Sequence, residues 1–313
     1  MTNQFVKWGL LATLSVTAFA PVVAQESSGE KPLAFNMPDG ITADSKRITF
    51  QSWERVTEDR NTAQHFSVDV ETGEIRREGQ MGRWIGWPSF TKDGKRVVFH
   101  TRISGNAELV VADLAVPNDM NEFLTVKRLT VGEKYDFFAS WSPDETEITF
   151  YGGRTGAPQI FVMKADGSNV RNLSNNNVHE SDPTWSSKGE ITFESHVAGN
   201  PDVWVMNGDG SGRRNLTNHP ADDRFGAWSP DGEQIVFSSD RDGDQDIYVM
   251  NRDGTGVRQL TNADGTDHWP RWAPDGSFIT WVRETDDSAQ VFMMKPDGTG
   301  ERRLTNNRSY HEK

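Results

Sequence analysis

Five residues before a recurrent tryptophan stands a carboxylate, in four successive places: Asp136, Glu180, Asp223 and Asp267 precede Trp141, Trp185, Trp228 and Trp272. Equal spacing from an equal landmark predicts equal positions in space, and so a ring of acids. A second set of charges falls at another recurrent place, with Arg102, Arg154, Arg241 and Arg283, and His196 where a fifth is expected. Two chemistries follow. If the arginines pair with the carboxylates, they fasten neighbouring units, since networks of such pairs fix loop geometry. If some carboxylates stay bare, the ring forms an electronegative mouth for a cation or a basic peptide. At the place matching Asp136 one unit earlier stands Ile85, inside the run Arg83-Trp84-Ile85-Gly86-Trp87, so the mouth is also aromatic there.

Catalytic and metal chemistry have fewer candidates. His179 precedes Glu180, His268 follows Asp267 and Tyr135 precedes Asp136. A histidine and a tyrosine beside an arginine suit proton abstraction next to a uronate carboxylate, the chemistry of a polysaccharide lyase. His179, His268 and a ring carboxylate are alternatively donors for a divalent metal. Asp240, Asp242, Asp244 and Asp246 alternate as in a calcium loop, but without the distal glutamate of an EF-hand. Serine hydrolase chemistry is disfavoured, because the G-x-S-x-G elbow is absent.

The elements that position these residues are legible from a repeat. A short apolar strand recurs six times: Ile48-Thr49-Phe50, Val97-Val98-Phe99, Ile148-Thr149-Phe150, Ile191-Thr192-Phe193, Ile235-Val236-Phe237 and Ile279-Thr280-Trp281, with final residues 49, 51, 43, 44 and 44 apart. Phe90, Trp141, Trp185, Trp228 and Trp272 precede five of these strands, and Ile41 the first. In the fifth unit, strand A ends at Trp228 and Ser229-Pro230-Asp231-Gly232 makes a tight turn. Proline presets φ there and glycine accepts the positive φ. Strand B is Gln234 to Ser238, strand C Asp246 to Asn251 and strand D Val257 to Thr261. Four hairpin-linked strands repeated six times predict an all-β, six-bladed β-propeller of four-stranded antiparallel blades. Strand D lies outermost, and its arginines (Arg76-Arg77, Arg213-Arg214, Arg302-Arg303) discourage edge-to-edge pairing. The last unit has its own strand D, so closure needs no strand borrowed from the N-terminus.

The pattern Trp-Ser-Pro-Asp-Gly, Ile-x-Phe, Ser-Asp-Arg-x-Gly, Ile-Tyr-Val-Met-Asn and Arg-x-Leu-Thr, nearly ideal at Trp228 to Thr261, resembles the TolB-like β-propeller repeat. The resemblance covers residues 33–306. It implies a periplasmic location and protein binding across the propeller mouth. TolB itself carries an α/β domain ahead of its propeller, and the chain resembles the propeller half alone.

The termini and the charge complete the expectation. Lys7, the apolar stretch Trp8–Ala20 and the small residues Val22-Val23-Ala24 read as a signal peptide over 1–24, too short to span a bilayer. A linker over 25–32, the propeller over 33–306 and a tail over 307–313 follow. There is no cysteine, which removes disulfides, thiolate metal sites and a cysteine nucleophile. With all 46 acidic residues and 32 of the 33 basic ones beyond residue 24, the processed chain has net charge −14. Such a chain is a poor ligand for nucleic acid or anionic lipid, and a good one for cations or basic protein surfaces. The expectation is a monomeric periplasmic module binding a protein or peptide, with no cofactor beyond a possible calcium ion and with catalysis as the alternative.

Overall fold

Each unit of the repeat folds on itself before it meets its neighbours. In the fifth, Ser229 caps the turn. Its Oγ donates to Asp231 Oδ1 at 2.6 Å and accepts from the Gln234 amide at 2.9 Å. Gly232 takes a φ of 68° and its amide donates to the Ser229 carbonyl. The same device recurs as Thr42 with Asp44, Thr91 with Asp93 and Ser142 with Asp144. Local turn chemistry thus sets the A–B hairpin of blade after blade.

The computed structural model describes residues 34–54, 64–78, 85–102, 105–132, 134–285 and 288–306. The signal peptide, the linker and the tail expected from the sequence lie outside these residues, as do Arg83 and Trp84. The described residues form six blades of four antiparallel strands. They are β1–β4 (34–77), β5–β8 (85–128), β9–β12 (136–172), β13–β16 (180–215), β17–β20 (223–259) and β21–β24 (266–303). Among them, no helix is long and apolar enough to cross a membrane.

The B strands explain the core. Ile235, Val236 and Phe237 are fully buried although they alternate in direction, because a blade is covered on both sides. Apolar clusters bridge consecutive blades. Ile160, Val162 and Leu173 of the third meet Ile191, Phe193 and Met206 of the fourth. Val203, Val205 and Leu216 of the fourth meet Trp228, Ile235 and Phe237 of the fifth. The ring closes the same way, with Ala273, Phe278 and Val291 of the sixth blade packed on Ile48, Phe50, Phe66 and Val68 of the first. One parallel bridge, Phe35 with Ala289, joins the two blades, and the Asp275 amide donates to Ser45 Oγ at 3.1 Å. Strand β24 (Arg302–Arg303) pairs β23 (Ala289–Met294), so the last blade supplies its own outer strand, as the repeat predicts.

Candidate functional site

The innermost strands are interrupted at one shared point. Strands β5 (Ile85–Phe90), β9 (Asp136–Trp141), β13 (Glu180–Trp185), β17 (Asp223–Trp228) and β21 (Thr266–Trp272) each slip register three residues before their closing aromatic. The residues at the slip are Trp87, Phe138, Asp182, Phe225 and Trp269, with φ between 49° and 58°. Bulky side chains rarely adopt this left-handed conformation, and a bulge that imposes it re-aims the side chain. The aim is the propeller axis. Trp87 of the second blade lies 6.1 Å from Trp269 of the sixth, ring centre to ring centre, although the first blade stands between them. Side chains of non-neighbouring blades meet only near the axis. Phe138 packs on Trp87 at 4.4 Å and Phe225 on Trp269 at 5.5 Å. An aromatic collar therefore lines the axis at mid-strand.

Asp182 is the polar member of this set. It is buried, its Oδ2 accepts from Ser181 Oγ at 2.8 Å, and burial together with the charge of Glu194 pushes its pKa up to about 7. Arg271, across the axis in the sixth blade, and Arg224 pull the other way. Arg224 Nη1 donates to Glu194 Oε1 at 3.1 Å and its Nη2 to Asp222 Oδ2 at 3.2 Å. His196 Nε2 lies 2.9 Å from the same Glu194 oxygen. The collar thus has a charged sector on the side of the fourth and fifth blades.

The four ring carboxylates occupy equivalent positions at the start of their strands, as the spacing predicts. They are not bare. Asp136, Glu180, Asp223 and Asp267 are buried, and each meets a guanidinium. Arg154 grips Asp136 through Nε and Nη2 at 3.0 and 2.7 Å, and Arg283 grips Asp267 through the same atoms at 2.7 Å each. Arg241 Nη2 reaches Asp223 Oδ1 at 3.0 Å. These guanidinium groups stack over blade aromatics: Arg154 on Phe150 and Phe161, Arg241 on Phe237 and Tyr248, Arg283 on Trp281 and Phe292. Glu180 departs from the pattern, since its partner is Arg213, which stacks on Phe193 from the opposite end of the blade. Of the two readings of the charge pattern, pairing with arginine describes these four acids, but each pair lies within one blade and ties its inner strand to that blade rather than to a neighbour. A mouth of bare ring carboxylates is corrected, because each of the four is buried and already paired with a guanidinium. Arg102 is exposed beside the second blade, whose ring position holds buried Ile85.

The other candidates separate. Tyr135 packs on Phe137 and Tyr151 in the third blade, and burial raises its pKa. His268 packs on Trp269 in the sixth, buried, with its pKa lowered to about 4 by desolvation. His179 packs on His196 in the fourth, and burial, then the charge of His196, lowers its pKa. The expected metal grouping of His179 with His268 is not found among the described residues, where His179 meets His196 and Glu194 instead. The four aspartates of the alternating loop diverge as well. Asp240 Oδ1 accepts from the Asp222 amide, Asp242 Oδ2 from the Tyr248 hydroxyl, and Asp246 from Thr261 and Gln259. They converge on no common point with a third donor, and among the described residues only His179, Glu194 and His196 do so.

Sequence reading missed Phe138, Phe225 and Asp182. A signal for them exists. The slip residues are followed by Pro88, Ala139, Pro183, Gly226 and Pro270, small or cyclic residues at one spacing from the strand aromatic.

The sequence model of the TolB beta propeller domain matches residues 34–195 and 189–313. Among solved structures, the chain is similar to a putative TolB from Agrobacterium tumefaciens, at 21% identity and TM-score 0.65, over 76% of this chain and 86% of that one. TolB from Acinetobacter baumannii matches at 16% identity and TM-score 0.65, over 86% of this chain and 62% of that one, so this chain spans less than two thirds of its length. Oligogalacturonate lyase from Vibrio parahaemolyticus matches at 13% identity and TM-score 0.58, over 87% and 78%. At these identities the structural likeness shows the fold. The family match spans all the described residues, and this chain belongs to the TolB beta propeller domain family.

Proposed function

We propose that the chain is an exported, periplasmic binding module that acts as a monomer and takes a protein or peptide segment at its axis. The observation that carries this reading is the aromatic collar. Five blades hold a strained backbone at the same place, and four of them use it to present Trp87, Phe138, Phe225 and Trp269. Strain of this kind costs about 1–3 kcal/mol per residue and persists where a site needs it. Large aromatic side chains are also the commonest anchors of protein interfaces. The ring carboxylates are each spent on an arginine, so the acidic character of the opening rests on Asp182, Asp222 and Glu194, which share Arg224 among them. That sector suits a basic side chain on the partner. The leader-like N-terminus and the family resemblance support export to the periplasm.

The test is capture from periplasmic extract with the purified chain and with Trp269→Ala and Phe225→Ala variants, each checked for an intact melting transition. Loss of a defined partner in both variants supports the reading. Capture undiminished in both, or turnover of acidic oligosaccharides by the wild-type chain, overturns it.

A further inference from the structure

The fourth blade breaks the charge pattern of its neighbours, and the break leaves three metal-type donors together. In the third, fifth and sixth blades an arginine from the B–C side covers the ring carboxylate. In the fourth, Arg213 does so from the opposite end of the blade, and the B–C side carries His196 instead. His196 turns to Glu194. His179 lies on the adjoining connection, directly before β13. The two connections are fixed to each other by backbone, since the His196 amide donates to the His179 carbonyl at 3.1 Å and Glu180 pairs with Ser195 in the strand register. The imidazole centroids lie 4.7 Å apart, and the donor atoms of His179, Glu194 and His196 all fall within 4.8 Å of one another.

One of these donors lacks a partner. Glu194 is 3% exposed. Its Oε1 accepts from Arg224 and faces His196, while its Oε2 is buried with no hydrogen-bond partner. A buried carboxylate oxygen left unmatched loses its hydration without recompense. Asp182 brings a second carboxyl near the same place. An added cation satisfies the open oxygen and relieves that repulsion. His179 and His196 are both partly exposed, so a path from solvent exists.

We propose that His179, Glu194 and His196 form a binding site for a divalent first-row transition cation of the zinc class, with its remaining coordination positions directed away from the blade. Two imidazole nitrogens and one carboxylate oxygen match that class, and three protein ligands leave positions open for water or a ligand. Calcium is disfavoured, because it takes six to eight oxygen donors. Metal–ligand distances of about 2.0–2.2 Å set tetrahedral donors about 3.4 Å apart, so the donors, now within 4.8 Å of one another, draw together on binding. Glu194 belongs to the partner-binding sector as well, but the two readings fail separately, because metal binding is measured on the isolated chain.

The test is calorimetric titration of the tag-free chain with Zn2+ and Co2+ at pH 7.5, with Ca2+ as comparison. One Zn2+ per chain is expected, with Co2+ competing for it and Ca2+ failing to displace either. His196→Ala and Glu194→Gln should each weaken Zn2+ by at least about 100-fold, since even changes to groups that only support the ligands cost about 10–100-fold. His219→Ala, at an exposed histidine in another loop, should leave binding unchanged. Absence of stoichiometric Zn2+ binding overturns the site, and so does binding that survives His196→Ala. That variant alters a partly exposed position, so it remains informative if Glu194→Gln fails to fold.

Discussion

Replacing Arg283 by methionine should separate the charge of one ion pair from its packing. Asp267 is fully buried and Arg283 is 9% exposed. Two charge-assisted hydrogen bonds of 2.7 Å join them, and Arg283 also meets Glu301 at 2.7 Å. Methionine keeps much of the stem that lies on Trp281 and Phe292, so the loss is mainly electrostatic. Removing one partner of a buried pair costs about 3–5 kcal/mol, because the other charge remains without compensation. A second route gives the same ceiling. Without its arginine, Asp267 escapes the cost of a buried charge by taking a proton. From its ordinary value of 3.8 up to pH 7.5, that proton costs about 5 kcal/mol at about 1.4 per unit. The Glu301 contact is half-exposed and adds at most about 1 kcal/mol. For a chain of this size the expected fall in melting temperature is about 6–10 °C at pH 7.5, at about 2 °C per kcal/mol.

The pH dependence carries the diagnostic. Desolvation raises the Asp267 pKa, and in the variant Arg283 no longer opposes it. The folded variant then holds a proton that the unfolded chain has released, so its deficit grows as pH rises above about 4 and fades as pH falls back to that value. Thermal melts of wild type, Arg283→Met and the double variant Asp267→Asn with Arg283→Met, at pH 4.0 and 7.5, supply the readout. The double variant should recover most of the loss at pH 7.5. A deficit equal at both pH values, or a double variant no better than the single one, would refute the reasoning.

Asp246 shows the same sign in the wild-type chain. Its pKa is pushed up to about 6 by burial and by the neighbouring charges of Asp267 and Asp244, so the folded state keeps its proton longer than the unfolded chain. Wild-type stability should therefore fall through this group between about pH 4 and 6 and stay level above. Asp246→Asn should raise the melting temperature at pH 7.5, with the gain gone at pH 4.0, because amides already serve at the matching places in Gln159 and Gln290. A melt that shows the same change at both pH values counts against it. Gly152→Ala places a methyl group against the Asp136 carboxylate, where the Arg154 pair forms. It should destabilise the chain by about 2 kcal/mol in urea melts, since relief requires moving a buried charge off its partner, whereas Gly132→Ala, which has no left-handed φ and meets only the Lys134 amide nitrogen at 3.9 Å, should cost less than half as much.

The blades and the carboxylate ring were readable from the chain because both depend on short-range spacing. Trp141, Trp185, Trp228 and Trp272 mark a strand end, and counting back from them finds buried acids at equal positions. The partners of those acids were readable only in kind. Arg154, Arg241 and Arg283 follow the loop pattern, but Glu180 takes Arg213, whose approach depends on the length of a side chain lying over Phe193. The collar was harder, because strand alternation assigns side chains to faces by parity and a slipped residue at positive φ breaks parity. Trp87 and Trp269 attract notice as aromatics, while Phe138 and Phe225 read as ordinary strand residues. The meeting of His179 with His196 rests on the pairing of Glu180 with Ser195, a register that spacing does not reveal.

The way the circle is completed has a consequence for the history of such a molecule. Every blade is drawn from one uninterrupted stretch of chain, and the join between the last and the first uses the same kind of greasy contact as four of the other joins, with the Phe35–Ala289 bridge added. Among the described residues, no blade borrows a strand from another. Copying or deleting a whole unit, or cutting the chain at a different loop and splicing its old ends, leaves each sheet intact and alters only how many meet around the centre. A gene can therefore grow or be permuted in steps of about forty-five codons, with the slipped residue of each new unit arriving already aimed inward.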